Sequence, residues 1–124
     1  MKILEIIFFA LITPFYLPPC EAVHTGKITI KRFRVTAYCP CKICCGKTDG
    51  ITASGHKISP GDRFAAADKT FIFGTILDIP GYGRVPVLDR GGAIRGDSLD
   101  VFFDTHKEAL NWGVKYLDVA IYEN

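Results

Sequence analysis

Two carboxylates in one glycine-rich stretch carry the strongest chemical signal in this sequence. Between Val85 and Asp104 the chain reads V-P-V-L-D-R-G-G-A-I-R-G-D-S-L-D-V-F-F-D. Asp89 closes one short β-branched run, and Asp100 sits inside a second, beside Leu99, Val101, Phe102 and Phe103. A carboxyl embedded in an apolar strand has to be paired, hydrogen-bonded or protonated, and carboxyls perturbed in this way gather at active sites. A group of this kind can donate a proton and later take one back. Asp97 and Asp104 fit a simpler role, as turn residues that bond nearby amides; Asp100 fits that role poorly. The link from Arg90 to Ser98 contains Gly91, Gly92 and Gly96, which permit positive φ and let a bound molecule come close to the backbone.

The elements that must position these carboxyls are short. Ile28–Tyr38 alternates apolar and polar residues and predicts a long, half-exposed strand. Phe64–Ala67 predicts a short strand ending at Asp68, and Phe71–Pro80 another before the turn Pro80-Gly-Tyr-Gly83. The two runs around the glycine link are strands. Thr105 with Glu108 three residues on forms a capping box for a short helix, with Ala109, Leu110 and Trp112 as its apolar side and Gly113 as its stop. Val114–Tyr122 is the last strand. Six or more short strands with one short helix predict an all-β fold, a small closed barrel that leaves no sheet edge exposed.

Length and charge narrow the function. The 124 residues allow one domain with a real core. With 15 basic and 13 acidic residues and no basic run, nucleic-acid binding by bulk electrostatics is excluded. Residues 1–22 read as a secretory signal peptide: Met1-Lys2, an apolar run to Leu17 and small residues near Ala22. Lipid attachment at Cys20 is the alternative, and no stable membrane span is expected after cleavage. The domain then occupies residues 23–124.

Cys39, Cys41, Cys44 and Cys45 lie within C-P-C-K-I-C-C. An even count in an exported chain favours two disulfides, of undetermined pairing. A four-thiolate zinc site competes, since Cys41-x-x-Cys44 has ligand spacing. We expect disulfides, with no metal and no cofactor. A nucleophilic cysteine needs a histidine partner, and His24, His56 and His106 stand in no supporting motif.

The motifs T-A-Y (Thr36–Tyr38), T-A-S-G (Thr52–Gly55), A-A-D (Ala66–Asp68), F-G-T (Phe73–Thr75), I-P-G-Y-G (Ile79–Gly83), V-L-D-R-G-G-A-I-R-G (Val87–Gly96) and L-D-V-F-F (Leu99–Phe103) fall in this order. Together they resemble the three-aspartate (3D) domain, found as the catalytic part of lytic transglycosylases of the membrane-bound A type and of stationary-phase survival muralytic proteins. The resemblance implies a six-stranded double-psi β-barrel acting on peptidoglycan glycan strands in the bacterial cell envelope, whether periplasm, outer membrane or cell wall, and we expect a monomer. It places the three aspartates on Asp68, Asp89 and Asp100, with Asp100 as the acid. Thr36, Tyr38, Ser54, Gly55, Arg90 and Gly91 are the substrate-binding candidates, and Tyr82 and Trp112 are further rings able to stack on sugars, though Trp112 shares the helix's apolar side and is expected to pack in the core. Asp68 has an equal claim to a plain role capping the turn into Lys69-Thr70.

The reaction implied is cleavage of the β-1,4 bond between N-acetylmuramic acid and N-acetylglucosamine without water. One carboxyl serves as acid and then base, and its pKa must lie near working pH. Period-two alternation puts Asp89 on the face of Val85 and Val87, and Asp100 on that of Phe102. If both point into one cleft they titrate as a coupled pair, and removing the charge of Asp89 shifts the pH profile to lower pH. Two other classes compete: a non-catalytic wall-binding or expansin-like wall-loosening module, and a small stapled protein that binds another protein. The embedded Asp100 argues against the last.

Overall fold

A computed structural model describes residues 26–41 and 49–123. The expected signal peptide, Cys20, Cys44 and Cys45 lie outside the described residues. Strand β1 runs Lys27–Tyr38, β2 Ala65–Ala67, β3 Ile76–Ile79, β4 Gly83–Asp89 and β5 Ser98–Phe102. Helix α1 (His106–Trp112) and β6 (Lys115–Glu123) complete the order. The six strands close into a barrel in the spatial order β1-β5-β2-β4-β3-β6. Two parallel pairings, β1 with β5 and β2 with β4, interrupt otherwise antiparallel neighbours. The fold is a double-psi β-barrel, as the resemblance implies.

Alternation along the strands sorts side chains to two faces. The barrel interior takes Phe33, Val35, Ala65, Ala67, Leu77, Ile79, Val85, Val87, Leu99, Val101, Val119 and Ile121, all buried. Fully burying a residue of the Val, Leu or Phe kind contributes roughly 1.5–3 kcal/mol, so this interior dominates stability. Tyr38, Phe64, Ala66 and Phe102 form a second cluster. Tyr38, Ala66 and Phe102 alternate with interior residues on their strands, with Phe64 just before β2, and so the cluster lies on the outside of the β1-β5-β2 wall.

The capping box forms as expected. The Glu108 amide donates to Thr105 Oγ1 at 3.2 Å, and Thr105 Oγ1 donates to Glu108 Oε2 at 3.1 Å. Gly113 stops α1 at φ 67°, where a side chain would be strained. Leu110 departs from its expected apolar side and is 66% exposed. On a helix of under two turns, Ala109 and Trp112, three apart, already cover the contact with the barrel. Strand β3 is shorter than expected because its N-terminal half is turn: Phe71 N donates to Asp68 O and Thr75 N to Ile72 O. Among the described residues no helix is long and apolar enough to cross a membrane.

Candidate active site

The strand register gathers the two carboxyls of the sequence argument. Ala66 on β2 pairs with Asp100 on one side and with Asp89 on the other. Asp100 pairs in turn with Thr36 on β1. Directly opposed residues share a face, so Thr36, Asp100, Ala66 and Asp89 form one row across four strands on the outer wall. Adjacent strands lie about 4.8 Å apart, which sets the two aspartate backbones about 10 Å apart with only the methyl of Ala66 between them. Sequence reasoning missed Ala66. Its signal was present in A-A-D, because a small residue between two acidic strand positions leaves space above the sheet.

Simple alternation fails for Asp89. Val85 and Val87 are in the interior, and a regular strand would send Asp89 inward with them. A register shift between Ala65 and Ala66 breaks the β2–β4 ladder, since Ala65 pairs with Val87 but Ala66 with Asp89. An extra residue on one strand re-aims the next side chain. Asp89 thereby joins the outer row.

The surroundings of the two carboxyls differ. Asp89 accepts from Tyr38 Oη at 2.7 Å, Ala53 N at 2.9 Å and its neighbour Arg90 N at 2.9 Å. Asp100 accepts one hydrogen bond from Thr36 Oγ1, at 3.1 Å. Burial pushes the Asp100 carboxyl up to about 6; the Thr36 bond opposes this, the negative charge of Asp89 adds to it, and Arg34 opposes it. Both aspartates remain partly accessible. The row therefore joins a carboxyl that holds its proton to near neutrality with one bonded by three donors.

The T-A-S-G turn covers the end of β4. Ala53 N reaches Asp89, Ser54 N donates to Leu88 O at 3.2 Å, and Gly55 N closes the turn onto Thr52 O at 2.9 Å. Gly55 holds φ 88°, which glycine adopts without strain. Ser54 and Gly55 are exposed beside the row. Tyr38 contributes through its hydroxyl; its ring is buried against Phe102 and Phe64, with centroids at 5.6 and 6.4 Å.

Other candidates fall elsewhere. Asp68 accepts from Thr70 N at 2.9 Å and Gly96 N at 3.1 Å. The Thr70 amide, then that of Gly96, holds its carboxyl below the ordinary value. Asp68 ties the turn after β2 to the glycine link, and it lines a separate groove with Lys31, Thr70, Phe71 and Gly96 to which neither Asp89 nor Asp100 contributes. Arg90 turns away from the row: it donates to Phe71 O, and its guanidinium lies 3.9 Å from the Phe73 ring centre. Gly96 alone of the three link glycines has positive φ, 58°, and a side chain on Gly91 would meet Ile94 at 2.8 Å.

Tyr82, a candidate for sugar stacking, belongs to the core, and so does Trp112, as its place on the helix's apolar side leads us to expect. Tyr82 is buried and donates to Phe102 O at 2.6 Å, and burial raises its phenol to about 12. Trp112 is 8% exposed and donates from Nε1 to Val35 O at 3.2 Å. Beyond the row, Cys39 and Cys41 stand with sulfurs 2.9 Å apart, and His106 faces both.

Comparison with known proteins agrees with this architecture. Residues 63–123 match the family model of the 3D domain. It is similar to the cell wall-binding protein YocH of Bacillus subtilis, at 37% identity over 79 residues covering 61% of this chain and 28% of the relative. It is also similar to the putative cell wall shaping protein YabE of the same organism, at 34% identity over 99 residues covering 78% of this chain and 23% of the relative. The chain thus spans about a quarter of the length of these curated relatives. Among solved structures, a mutant Clavibacter michiganensis expansin in complex with cellohexaose matches with TM-score 0.50 and 19% identity. That match covers 77% of this chain and 50% of the expansin, and it bears on the fold alone.

Proposed function

We propose that this domain binds a glycan strand of the bacterial cell wall across the outer row and cleaves it there as a lytic transglycosylase. The observation that carries the reading is the raised carboxyl of Asp100, at about 6, on the same face as Asp89. Thr36 bonds one oxygen of Asp100, so the proton available for transfer sits on the other. That proton passes to the glycosidic oxygen as its bond to C1 of N-acetylmuramic acid breaks. O6 of the same sugar attacks C1, its proton returns to Asp100, and a 1,6-anhydro end results without consumption of water. Asp89, held in place by Tyr38, Ala53 and Arg90, faces positive charge developing at C1. The space above Ala66 is where the sugar sits.

A second reading is favoured by what the relatives are named for, wall binding and wall shaping. On that reading the same row holds a glycan strand without cleaving it. Both readings place the chain at the cell wall and take peptidoglycan as partner; they differ in whether Asp100 moves a proton. Co-sedimentation with purified peptidoglycan, with mass spectrometry of soluble products, tests both. Cleavage requires anhydro-ended muropeptides that disappear in D100N, whereas binding alone requires sedimentation with no product. General acid–base groups contribute about 10²–10⁴-fold, so D100N should lower release by that factor.

A further inference from the structure

Cys39 is the first residue after β1 and is fully buried. Cys41 follows two residues on, partly exposed. His106 is the first residue of α1, more than sixty positions away in sequence, yet its Nδ1 lies 3.6 Å from each of the two sulfurs. The three candidate donor atoms all lie within 4.8 Å of one another. Sequence reading saw no partner for His106, because β5 and the Phe103–Thr105 turn had to be placed before its ring could be located. Phe103 N donates to Tyr38 O at 2.8 Å, which draws the end of β5 against the end of β1.

We propose that Cys39, Cys41 and His106 form a site for a thiophilic divalent cation, zinc by the chemistry of the donors. Two thiolates and one imidazole are the soft and borderline donors that select zinc over magnesium or calcium. With zinc–sulfur bonds near 2.3 Å and zinc–nitrogen near 2.0–2.1 Å, a tetrahedral angle puts sulfur and nitrogen about 3.6 Å apart. Both sulfur–nitrogen distances meet that edge. The sulfur–sulfur edge of such a site is about 3.8 Å, so the 2.9 Å pair has to open by roughly 1 Å, within reach of a side-chain rotation at the partly exposed Cys41. A histidine ring equidistant from both sulfurs serves a bound cation directly; a disulfide between them has no need of it.

The cation would tie the end of β1 to the start of α1, one residue beyond Tyr38, whose hydroxyl holds Asp89. Its role is to fix the rim of the row, and it stands independently of whether the row cleaves or only binds. Zinc binding requires both thiols deprotonated, so occupancy rises with pH and falls in acid.

The test uses the full chain, reduced and then supplied with one equivalent of Co²⁺ as a spectroscopic probe. The proposal expects a thiolate-to-cobalt charge-transfer band with the strong d–d absorption of tetrahedral cobalt, saturating at one ion per chain and displaced by Zn²⁺. H106Q is the discriminating variant, because Cys44 and Cys45 supply thiols able to hold a metal without His106. Loss of an outer-shell partner typically costs 10–100-fold in affinity, and loss of a ligand should cost at least about a hundredfold here. Circular dichroism of H106Q establishes that it folds, and C39S, which leaves other thiols in the chain, should weaken cobalt binding and lower the charge-transfer intensity per bound ion. No tetrahedral cobalt spectrum in the reduced wild-type chain overturns the proposal, as does H106Q binding cobalt as tightly as wild type. Peptide mapping that finds a Cys39–Cys41 disulfide resistant to mild reduction, with no metal bound, overturns it too.

Discussion

Replacing Asp100 by Asn should stabilise the protein at neutral pH. The carboxyl ionises near 3.8 in an unfolded chain and near 6 in the folded one, chiefly because burial disfavours the charge. Below pH 3.8 both states hold the proton and the residue costs nothing. As pH rises from 3.8 towards 6 the unfolded chain ionises while the folded one resists, so stability is lost across that window and stays reduced above it. A gap of roughly two pH units at about 1.36 kcal/mol each comes to on the order of 3 kcal/mol. Water reaching the partly exposed carboxyl trims this to about 2 kcal/mol. Asn carries no charge and still accepts from Thr36 Oγ1, so D100N escapes the penalty. For a domain near 100 residues, 1 kcal/mol moves Tm by roughly 4–8 °C, and D100N should melt about 8–16 °C higher at pH 7. Paired thermal melts of wild type and D100N at about pH 3.5, 5 and 7 measure the difference directly, because the other acid-sensitive groups are common to both. The gap should be near zero at the lowest pH and full by pH 7. A gap that stays constant across the series, or a D100N protein less stable at pH 7, would refute the assignment of Asp100 as a buried, proton-holding carboxyl.

Two further predictions follow from the same geometry. Since the charge of Asp89 helps to raise Asp100, D89N should move the Asp100 ionisation below 6. NMR titration of the Asp100 carboxyl carbon would show this, together with a shift to lower pH of the alkaline limb where a general acid loses its proton; an unmoved titration contradicts the coupling. Asp68 bonds two loop amides, so D68N should speed hydrogen exchange at Thr70 and Gly96 and lower stability above the ordinary aspartate range, an advantage that fades as pH falls. Unchanged exchange with a selective loss of activity would return Asp68 to the site.

Much of the frame was legible in the chain. Thr105 and Glu108 announced α1, alternation announced β1, and the apolar flanks of Asp100 announced a perturbed carboxyl. These signals are local, so a linear reading captures them. The register shift that turns Asp89 outward is not local: it exists only once β2 lies against β4. The same applies to His106, which meets Cys39 only after β5 has packed beside β1. Trp112 was legible as core from its place on the apolar side of α1, whereas Tyr82 looked like a platform for sugars; each finds a backbone carbonyl for its polar atom. A tyrosine with such a partner is as comfortable buried as an aliphatic residue, and nothing in the I-P-G-Y-G turn tells the two outcomes apart.

The central claim is that Asp100 moves a proton on a wall glycan held across the outer row. Its most direct measurement is incubation of wild type and D100N with purified peptidoglycan sacculi, with mass spectrometry of the soluble fraction and sedimentation of the protein. The account predicts 1,6-anhydro-muropeptides from wild type, a 10²–10⁴-fold smaller yield from D100N, and equal sedimentation of both. Wild-type protein that sediments with the sacculi but releases no anhydro product, or a D100N protein that releases as much as wild type, would contradict it.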